Sequence, residues 1–351
     1  MMGPRALRTT ELSKELARRG HEVVVYSLTG KYDYNTYEVE TGVKVKRLGV
    51  SKWGRKDCDG VSHANFIRKV IVHSVGNYLW LPDRELIPMV KKAIREEGKI
   101  DCLITIAIPH VLHYAASLSD LAQVGCWIAD CGDPFTLNPF NKYPKYCVKY
   151  EKLWCKKCDF ITIPLKEAIN GYYPEFHDKI RIIPQGFNFD NVKLQDYKPH
   201  NIPTFAYTGA VYKGLRDPSV FLQYLSTLDE EFRFLIFGKS WAFFEPYKQT
   251  LGDKLQNMGS MPHDEMITAI SGVDFLINIR NNSGVQQPSK LIDYALSKRP
   301  FMTITSSFDD NERIIFTEFI KGNYSKQDLL PNIDDYNIVN VTDRFLRLTN
   351  L

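Results

Sequence analysis

A polar, glycine-containing loop leads into a predicted helix over residues 289–297. Pro288 suits the first turn of that helix. Free backbone amides at Ser289 and Lys290 would attract an anion, and the helix dipole would reinforce them. Asp293 follows one turn later, and its carboxylate can accept hydrogen bonds from a pair of ribose hydroxyls. The alternative is a surface loop in which Asp293 only occupies an early helical turn.

A second loop, within residues 207–218, also joins a predicted strand to a predicted helix. Its glycines, Gly209 among them, let the backbone approach a ligand, while Lys213 and Arg216 can neutralise a diphosphate. The segment matches neither a P-loop nor the G-x-G-x-x-G pattern, and a basic pair after a strand is also typical of a solvated turn. Both loops, with residues 259–261 in a third, are predicted at one sheet edge, where the third loop's backbone can contact a nucleobase.

The order of elements predicts an α/β protein with parallel sheets and helices on both faces. Apolar, β-branched runs alternate with amphipathic runs along most of the chain. Strands are predicted at 21–27, 101–107, 125–129, 160–163 and 180–183, then at 204–208, 232–237, 255–258, 275–279 and 301–305. Helices are predicted at 5–19, 83–97, 111–121, 145–157, 218–226, 242–251, 264–270 and 289–297.

A polar, aperiodic segment over residues 188–203 predicts a linker between two domains. The first domain would cover 1–187 and the second 204–330, with a C-terminal helix in 331–351 that packs back on the first. Two such domains facing each other form a cleft, and ligands bind beyond the carboxyl ends of the strands. A doubly wound domain normally opens with a strand, but this chain opens with a helix. We therefore expect the first domain to lack its opening strand, which exposes ladder groups on the neighbouring strands.

The composition is that of a soluble globular protein. With 351 residues and 40.5 kDa, the chain exceeds the size at which one core stops growing. A hydrophobic share of 44% and a charged share of 25% exclude a disordered or fibrous chain. No apolar run reaches the roughly 18–20 residues of a membrane span. A net charge of +4 does not require an anionic partner, and no nucleic acid is predicted.

The cysteines predict a reducing compartment and no metal site. Seven of them are scattered along a chain without a secretory signal, which favours free thiols in a cytoplasmic protein. The isolated pair Cys155 and Cys158 lacks the second pair that a zinc ribbon needs.

Several segments, in order along nearly the whole chain, resemble glycosyltransferases of the GT-B fold, in particular glycosyltransferase family 4. The family's opening motif, G-x-x-R…L-A-x-x-G-H-x-V, resembles the segment from Gly3-Pro4-Arg5 through Gly20-His21-Glu22-Val23. Its A-D-x-I-x-x-x-S…I-P-N-G-x-D motif resembles residues 157–164 with 181–188, and its second domain matches residues 235–238 and 269–274. The P-S-K-x-x-E-Y…G-K-P variant of cell-surface polysaccharide enzymes resembles residues 288–300.

The resemblance implies transfer of a sugar from a nucleotide-sugar donor to a saccharide or lipid-linked acceptor. It implies retention of configuration, no metal, and no cofactor beyond the donor itself. Asp293 takes the place of the last glutamate of the family's E-x7-E motif, the ribose ligand. Arg216, in preference to Lys213, takes the diphosphate role, and Met261 matches the position whose backbone meets the base.

The sequence departs from the family's pattern around the donor sugar. The first glutamate of E-x7-E falls at Val285, and we expect Gln286 or Gln287 to bond the donor hydroxyls instead. Ala210 stands where many members have a diphosphate-binding arginine, which leaves more to Arg216. Gly238, at the end of a matching segment, belongs to the predicted donor site.

Three residues of the first domain are predicted to serve the acceptor. Asp133 is the carboxylate expected nearest to it, followed by Asp130, because both follow a predicted strand end. His110 lies after the neighbouring strand, on the same expected edge. The alternatives are a turn that starts at Asp133 and a histidine with a structural role.

The predicted helix over 145–157 is basic and aromatic, as are helices that sit on an anionic membrane surface. The alternative is a solvated helix whose aromatic residues join the core. The sequence thus predicts a cytoplasmic glycosyltransferase of surface-polysaccharide synthesis, with peripheral contact at the inner face of the membrane through this helix. Two other functions remain open: a nucleotide-sugar epimerase of the same fold, and a shortened, non-catalytic nucleotide-binding protein.

Overall fold

A computed structural model describes residues 4–57, 60–138, 143–190, 192–211, 214, 216–280, 290–330 and 332–349. The chain divides into two compact units. The C-terminal unit comprises residues 188–336, and the N-terminal unit comprises residues 2–187 together with 337–351.

The described residues of the N-terminal unit form six parallel strands in two sheets. Among the described residues, β1 pairs only with β2, and the other four strands form a sheet of order β3-β4-β5-β6. In this part of the chain β1 and β3 therefore each pair with one strand, and the two sheets share no hydrogen-bonded strand pair. The strands are β1 (Val24–Ser27), β2 (Lys44–Arg47), β3 (Ile100–Ala107), β4 (Val124–Cys131), β5 (Phe160–Ile163) and β6 (Ile180–Ile182).

Helices cover these sheets and bury a core around Trp127, Trp154 and Ile161. Before the chain leaves this unit they are α1 (Pro4–Arg18), α2 (Tyr34–Thr41), α3 (Phe66–Leu79), α4 (Leu86–Glu97), α5 (Val111–Ser117) and α6 (Cys147–Lys157).

The predicted basic helix corresponds to α6, which begins at Cys147 rather than at residue 145. Its aromatic side chains pack inward: Trp154 is fully buried, and the Tyr150 ring stacks on Tyr114 with centroids 4.1 Å apart. Lys149 is exposed on the opposite side. The arrangement is that of a solvated helix whose rings complete a core.

The described residues of the C-terminal unit form one five-stranded parallel sheet of order β11-β10-β7-β8-β9 with helices around it. Its core is rich in phenylalanine, and the Phe205 ring stacks on those of Phe234 and Phe275 at 4.7 and 4.8 Å. The elements are β7 (Thr204–Thr208), α7 (Ser219–Leu225), β8 (Arg233–Phe237), α8 (Trp241–Phe244), α9 (Lys248–Leu251), β9 (Leu255–Gly259), α10 (His263–Ser271), β10 (Phe275–Ile279), α11 (Lys290–Leu296), β11 (Phe301–Ile304) and α12 (Asp310–Ile320).

The last helix, α13 (Ile338–Thr349), belongs to the N-terminal unit and packs on α1. Val341 and Phe345 share an apolar cluster with Leu12. Arg19, the residue after α1, donates to the Val339 carbonyl at 2.8 Å and pairs with Asp343. Within the part of the chain described, no helix combines the length and the apolar character that a bilayer crossing requires.

Candidate functional site

Glycines line the carboxyl edge of the C-terminal sheet. Gly209, Gly238 and Gly259 lie at the ends of β7, β8 and β9, with φ angles of 110°, 120° and 70° that favour glycine. The Gly209 amide donates to the Phe237 carbonyl at 3.2 Å, and the Gly238 amide donates to the Gly259 carbonyl at 2.7 Å. A Cβ on Gly238 would lie 3.3 Å from the Gly209 oxygen. These turns leave bare backbone at the sheet edge, which lets a ligand approach closely.

Lys290, the first residue of α11, brings a buried positive charge to this edge. The residue is only 6% exposed, and its Nζ has no hydrogen-bond partner among the described residues. The ammonium lies 4.2 Å from the centroid of the Tyr207 ring. Burial, helped by the charge of Arg216, holds the pKa of Lys290 well below its usual range. A ligand with negative charge would supply the hydrogen bonds that this ammonium lacks.

Arg216 is anchored in the loop that follows β7. Its Nη1 donates to the Ala210 carbonyl at 3.2 Å, and the Tyr207 hydroxyl donates to the same oxygen at 2.9 Å.

Tyr294 of α11 connects that helix to the sheet. Its hydroxyl donates to the Ile277 carbonyl at 2.9 Å and accepts from the Thr208 amide at 3.1 Å. Since Thr208 belongs to β7 and Ile277 to β10, these bonds fix α11 against both strands.

Asp293 pairs with a histidine that sequence analysis missed. His263 Nε2 lies 2.8 Å from Asp293 Oδ1. Burial raises the pKa of the Asp293 carboxyl, although His263 opposes this shift. Burial would lower the pKa of His263, but the hydrogen bond and charge of Asp293, with the charge of Asp264, outweigh it and raise that pKa. A carboxylate has about four lone-pair sites, so Asp293 can accept further hydrogen bonds beside His263.

The pKa of His263 predicts a pH dependence of stability. Because it is higher in the folded chain than in the unfolded one, protonated His263 stabilises the fold fully below its unfolded pKa of about 6.5. That contribution is lost as the pH rises through the folded-state pKa. Urea unfolding at a series of pH values should show the stability advantage of wild type over His263→Gln shrinking with rising pH. A difference that stays constant between roughly pH 5 and 8 would contradict the assignment.

The structure brings five of the predicted donor residues to the carboxyl edge of one sheet: Gly209, Arg216, Gly238, Lys290 and Asp293. Met261 follows β9 toward the same edge and packs partly on the core. The other predicted donor residues lie outside the described residues; they are Lys213, Gln286, Gln287, Pro288 and Ser289.

Asp130 lies inside a strand, because β4 continues to Cys131, two residues beyond the predicted end. It is fully buried and bound by Arg8 through two hydrogen bonds of 2.7 and 2.8 Å. Thr162 donates a third at 2.6 Å. Burial alone would raise the pKa of Asp130, but Arg8 outweighs this and lowers it. The expectation that Asp130 follows the strand end was wrong, and its contacts favour a structural role.

The other two predicted acceptor residues lie at the carboxyl edge of β3 and β4, whose last residues Ala107 and Cys131 are in register. Asp133 is partly buried, and the Tyr172 hydroxyl donates to its carbonyl at 3.4 Å. His110 is 2% exposed and stacks on Phe135 at 4.5 Å.

One group of potential metal ligands is found among the described residues. The ligand atoms of His110, His113 and Cys131 all lie within 4.8 Å of one another, and all three residues are buried. His113 already contacts Thr105 Oγ1 at 2.7 Å and Cys131 Sγ at 3.3 Å. Burial lowers the pKa of His113 to about 3. The neutral ring is thus held by two partners, which accounts for its burial.

No family model and no curated protein matches the chain in sequence. Solved structures do match, several of them over nearly the full length of the chain. The crystal structure of HepE from Anabaena, in complex with UDP and glucose, has a TM-score of 0.63 at 9% identity and covers 99% of this chain and 96% of its own. A glycosyltransferase from Rickettsia africae has a TM-score of 0.60 at 14% identity and covers 98% and 93%.

A third match is the lipopolysaccharide outer core galactosyltransferase WaaB, with a TM-score of 0.62 at 13% identity, covering 99% of this chain and 95% of its own. At such identities the likeness establishes the fold. Parallel four- and five-stranded sheets in two units agree with it. The chain therefore has the GT-B fold, built of two Rossmann-like domains.

Proposed function

We propose that this protein is a glycosyltransferase that moves a sugar from a nucleotide diphosphate donor to a saccharide or lipid-linked acceptor. The observation that carries the proposal is the ammonium of Lys290, which has no hydrogen-bond partner in the described part of the chain and is buried one helical turn from the Asp293 carboxylate. A buried cation can bind the diphosphate of a nucleotide, and a nearby carboxylate can accept hydrogen bonds from the ribose hydroxyls of the same nucleotide. Structural neighbours crystallised with UDP or UDP-glucose support a UDP-linked donor.

In this proposal each part of the donor meets a different group of the C-terminal unit. Lys290 and Arg216 bind the diphosphate, whose oxygens complete the hydrogen bonding of the ammonium. Asp293, held by His263, accepts from the ribose hydroxyls. The backbone around Met261 contacts the base.

The main catalytic effect is electrostatic. As the bond between sugar and diphosphate breaks, negative charge grows on the leaving diphosphate. A cation already fixed beside it stabilises that charge without reorganisation, which lowers the barrier. Lys290 is buried where water screens little, so its effect is large.

We further propose that the reaction retains configuration and serves cell-surface polysaccharide synthesis. Asp133 and His110 are the groups at the carboxyl edge of the N-terminal unit that bind the acceptor. A donor phosphate oxygen accepts the acceptor proton in this scheme, so Asp133 positions the hydroxyl. The metal-free mechanism uses Lys290 and Arg216 as the charge-neutralising groups.

Nucleotide binding and product analysis test the function. Calorimetry with UDP and GDP should show binding of one diphosphate and weaker binding of its nucleoside. Incubation with radiolabelled UDP-sugars and a lipid or saccharide extract should transfer label to the acceptor. Conversion of the donor to its epimer without acceptor would indicate an epimerase instead, and binding without any turnover would indicate a non-catalytic protein.

Replacing Asp293 by alanine should weaken UDP binding about 10- to 100-fold, because the two ribose hydroxyls lose the charged carboxylate that accepts their hydrogen bonds. Binding of inorganic pyrophosphate should change little, since the diphosphate ligands remain. The control is Asp253→Ala, which removes an exposed carboxylate at the amino end of β9, on the opposite edge of the same sheet. Equal UDP affinity in the two variants would remove Asp293 from the site.

A further inference from the structure

Two imidazole rings and a thiol meet inside the N-terminal unit, at the carboxyl edge of β3 and β4. One ring nitrogen from each of His110 and His113 and the Sγ of Cys131 all lie within 4.8 Å of one another. His110 directly precedes α5, His113 lies in the first turn of that helix, and Cys131 is the last residue of β4. All three residues are at most 2% exposed. We call them the His-Cys cluster.

Hydrogen bonding accounts for only part of the His-Cys cluster. His113 contacts Thr105 Oγ1 through Nδ1 at 2.7 Å and Cys131 Sγ through Nε2 at 3.3 Å. His110 Nδ1, in contrast, is buried without a hydrogen-bond partner among the described residues. A buried polar nitrogen that is left unbonded destabilises the fold. A metal ion held between the three residues would give this nitrogen a bond, so the unpaired nitrogen favours a ligand at this position.

The spacing of the His-Cys cluster suits a tetrahedral metal ion. Zinc binds sulfur at about 2.3 Å and nitrogen at about 2.0 Å, so a sulfur and a nitrogen on one tetrahedral ion lie about 3.5 Å apart. Cys131 Sγ and His113 Nε2 are 3.3 Å apart, close to that value. Because every pair of ligand atoms lies within 4.8 Å, the His110 ring needs to move by roughly 1.5 Å at most to complete the geometry.

Aromatic side chains hold both imidazole rings of the His-Cys cluster in place. The His110 ring stacks on Phe135 with centroids 4.5 Å apart, and the His113 ring packs against Trp154 at 4.7 Å. Rings that are fixed before an ion arrives lose little conformational freedom when they bind it. The packing therefore presents two nitrogens and one sulfur as a ready set of ligands.

Thr105 supplies the hydrogen bond that orients a histidine ligand. Its Oγ1 accepts from Trp127 Nε1 at 2.9 Å. When the proton of His113 is on Nδ1, the same oxygen accepts a second hydrogen bond, and the lone pair of Nε2 faces Cys131. Metal-binding histidines almost always donate from their other ring nitrogen in this way, which fixes the tautomer.

The chemistry of the ligand atoms selects zinc. Imidazole nitrogen and thiolate sulfur suit Zn²⁺, whereas Mg²⁺ and Ca²⁺ prefer oxygen ligands. Zn²⁺ also has no redox chemistry of its own. It can therefore sit beside the free thiols of Cys155 and Cys158, which share a core with Cys131, without oxidising them.

We propose that the His-Cys cluster binds one Zn²⁺ ion through His110 Nδ1, His113 Nε2 and Cys131 Sγ, with a water molecule as the fourth ligand. The Cys131 thiol gives its proton to solvent and binds as the thiolate. The ion ties the end of β4 to the start of α5 and stabilises the N-terminal unit. It takes no part in the proposed sugar transfer, so zinc binding and UDP binding can fail separately.

Elemental analysis of the full chain tests the zinc site. Because the site is buried, the chain is unfolded in urea, refolded with zinc and dialysed; wild type should then hold about one zinc ion per chain. Refolding with cobalt should give the near-ultraviolet thiolate-to-cobalt band and the visible bands of a tetrahedral site. Cys131→Ser and His113→Gln should each lower zinc affinity about 100-fold or more, since each removes a ligand. UDP affinity should not differ between zinc-loaded and zinc-free wild type.

The matched controls are Cys126→Ser and Cys158→Ser, which each remove another buried cysteine of the same unit, the first from β4 itself. Both should keep the zinc ion and the cobalt spectrum of wild type. The proposal is overturned if refolded wild type holds no zinc, or if its cobalt form lacks the thiolate band. It is also overturned if either ligand variant, folded by circular dichroism, keeps its zinc, or if a control variant loses it. Should neither ligand variant fold, the zinc content and cobalt spectra of wild type and the two controls decide.

Discussion

Replacing Lys290 by methionine should make the protein more stable and remove most of its affinity for UDP. Methionine is close to lysine in length and apolar shape, so the change deletes the charge and leaves the packing intact. In the free protein the Lys290 ammonium is buried without a hydrogen-bond partner in the described residues. Leaving a buried donor unsatisfied costs about 1–3 kcal/mol, more for a charge, and the contact with the Tyr207 ring at 4.2 Å offsets part of that cost.

The same substitution should stabilise the free protein but weaken its binding of UDP, because the diphosphate supplies the hydrogen-bond partner that the Lys290 ammonium lacks. Losing a desolvated charge pair of this kind costs about 2–5 kcal/mol. We therefore expect an affinity loss of about 100-fold, equivalent to about 3 kcal/mol. Urea denaturation without ligand should show a gain of about 1–2 kcal/mol in the free energy of unfolding.

Lys321→Met is the control, because Lys321 is an exposed lysine at the end of α12 in the same unit. It should change neither quantity by much. UDP affinity equal to wild type in a folded Lys290→Met protein would exclude Lys290 as the diphosphate ligand. A loss of stability in that variant would mean that the ammonium already has a partner in the free protein.

The buried strands of the C-terminal unit could be predicted closely from sequence. Strands expected at 204–208 and 275–279 are observed at Thr204–Thr208 and Phe275–Ile279. Parallel strands covered on both faces are nearly continuous apolar runs, and glycines end several of them. Because these runs also mark where the strands end, the loops at the carboxyl edge of the sheet could be predicted from the same pattern.

Residues 28–82 were not predicted to hold any element, yet they contain α2, β2 and α3. The strand β2 has the sequence Lys-Val-Lys-Arg, and three of its four residues are exposed, so apolar alternation is absent. The apolar residues of α3 face solvent, and only the cap at Asn65, whose side chain accepts from the Arg68 amide, signals the start of the helix. Sequence patterns report burial, and these elements bury little.

The partners of the site residues could not be predicted because they are distant in sequence. His263 is 30 residues from Asp293, and a lone histidine after a proline carries no signal of that pairing. Asp130 was expected beyond a strand that actually includes it, and its partner Arg8 is 122 residues away. The residue type predicted a functional carboxylate at both Asp293 and Asp130, but only the partner of each shows whether its role is structural.

Replacing Arg8 by methionine should destabilise the N-terminal unit by about 3–5 kcal/mol. The Arg8 and Asp130 side chains are 2% and 1% exposed, so solvent does not screen their interaction. Arg8 also donates to the Pro184 and Ile183 carbonyls at 2.5 and 3.1 Å. Its loss leaves Asp130 charged and buried, with only Thr162 as a donor from the described side chains. Urea denaturation should show a lower midpoint. Arg18→Met on the same helix should cost about 1 kcal/mol or less, because the Arg18 side chain is 66% exposed and its partner Glu15 keeps Arg19 as a second partner.

The same pair decides between a structural and an acceptor-binding role for Asp130. Asp130→Asn keeps the shape but removes the charge that Arg8 needs, so a structural carboxylate predicts a large loss of stability. The double variant Arg8→Met/Asp130→Leu leaves no unpaired charge and should be more stable than Arg8→Met alone. An acceptor-binding carboxylate predicts instead that Asp130→Asn keeps the urea midpoint of wild type and loses turnover. Because Asp130 is fully buried within β4, we expect the first result.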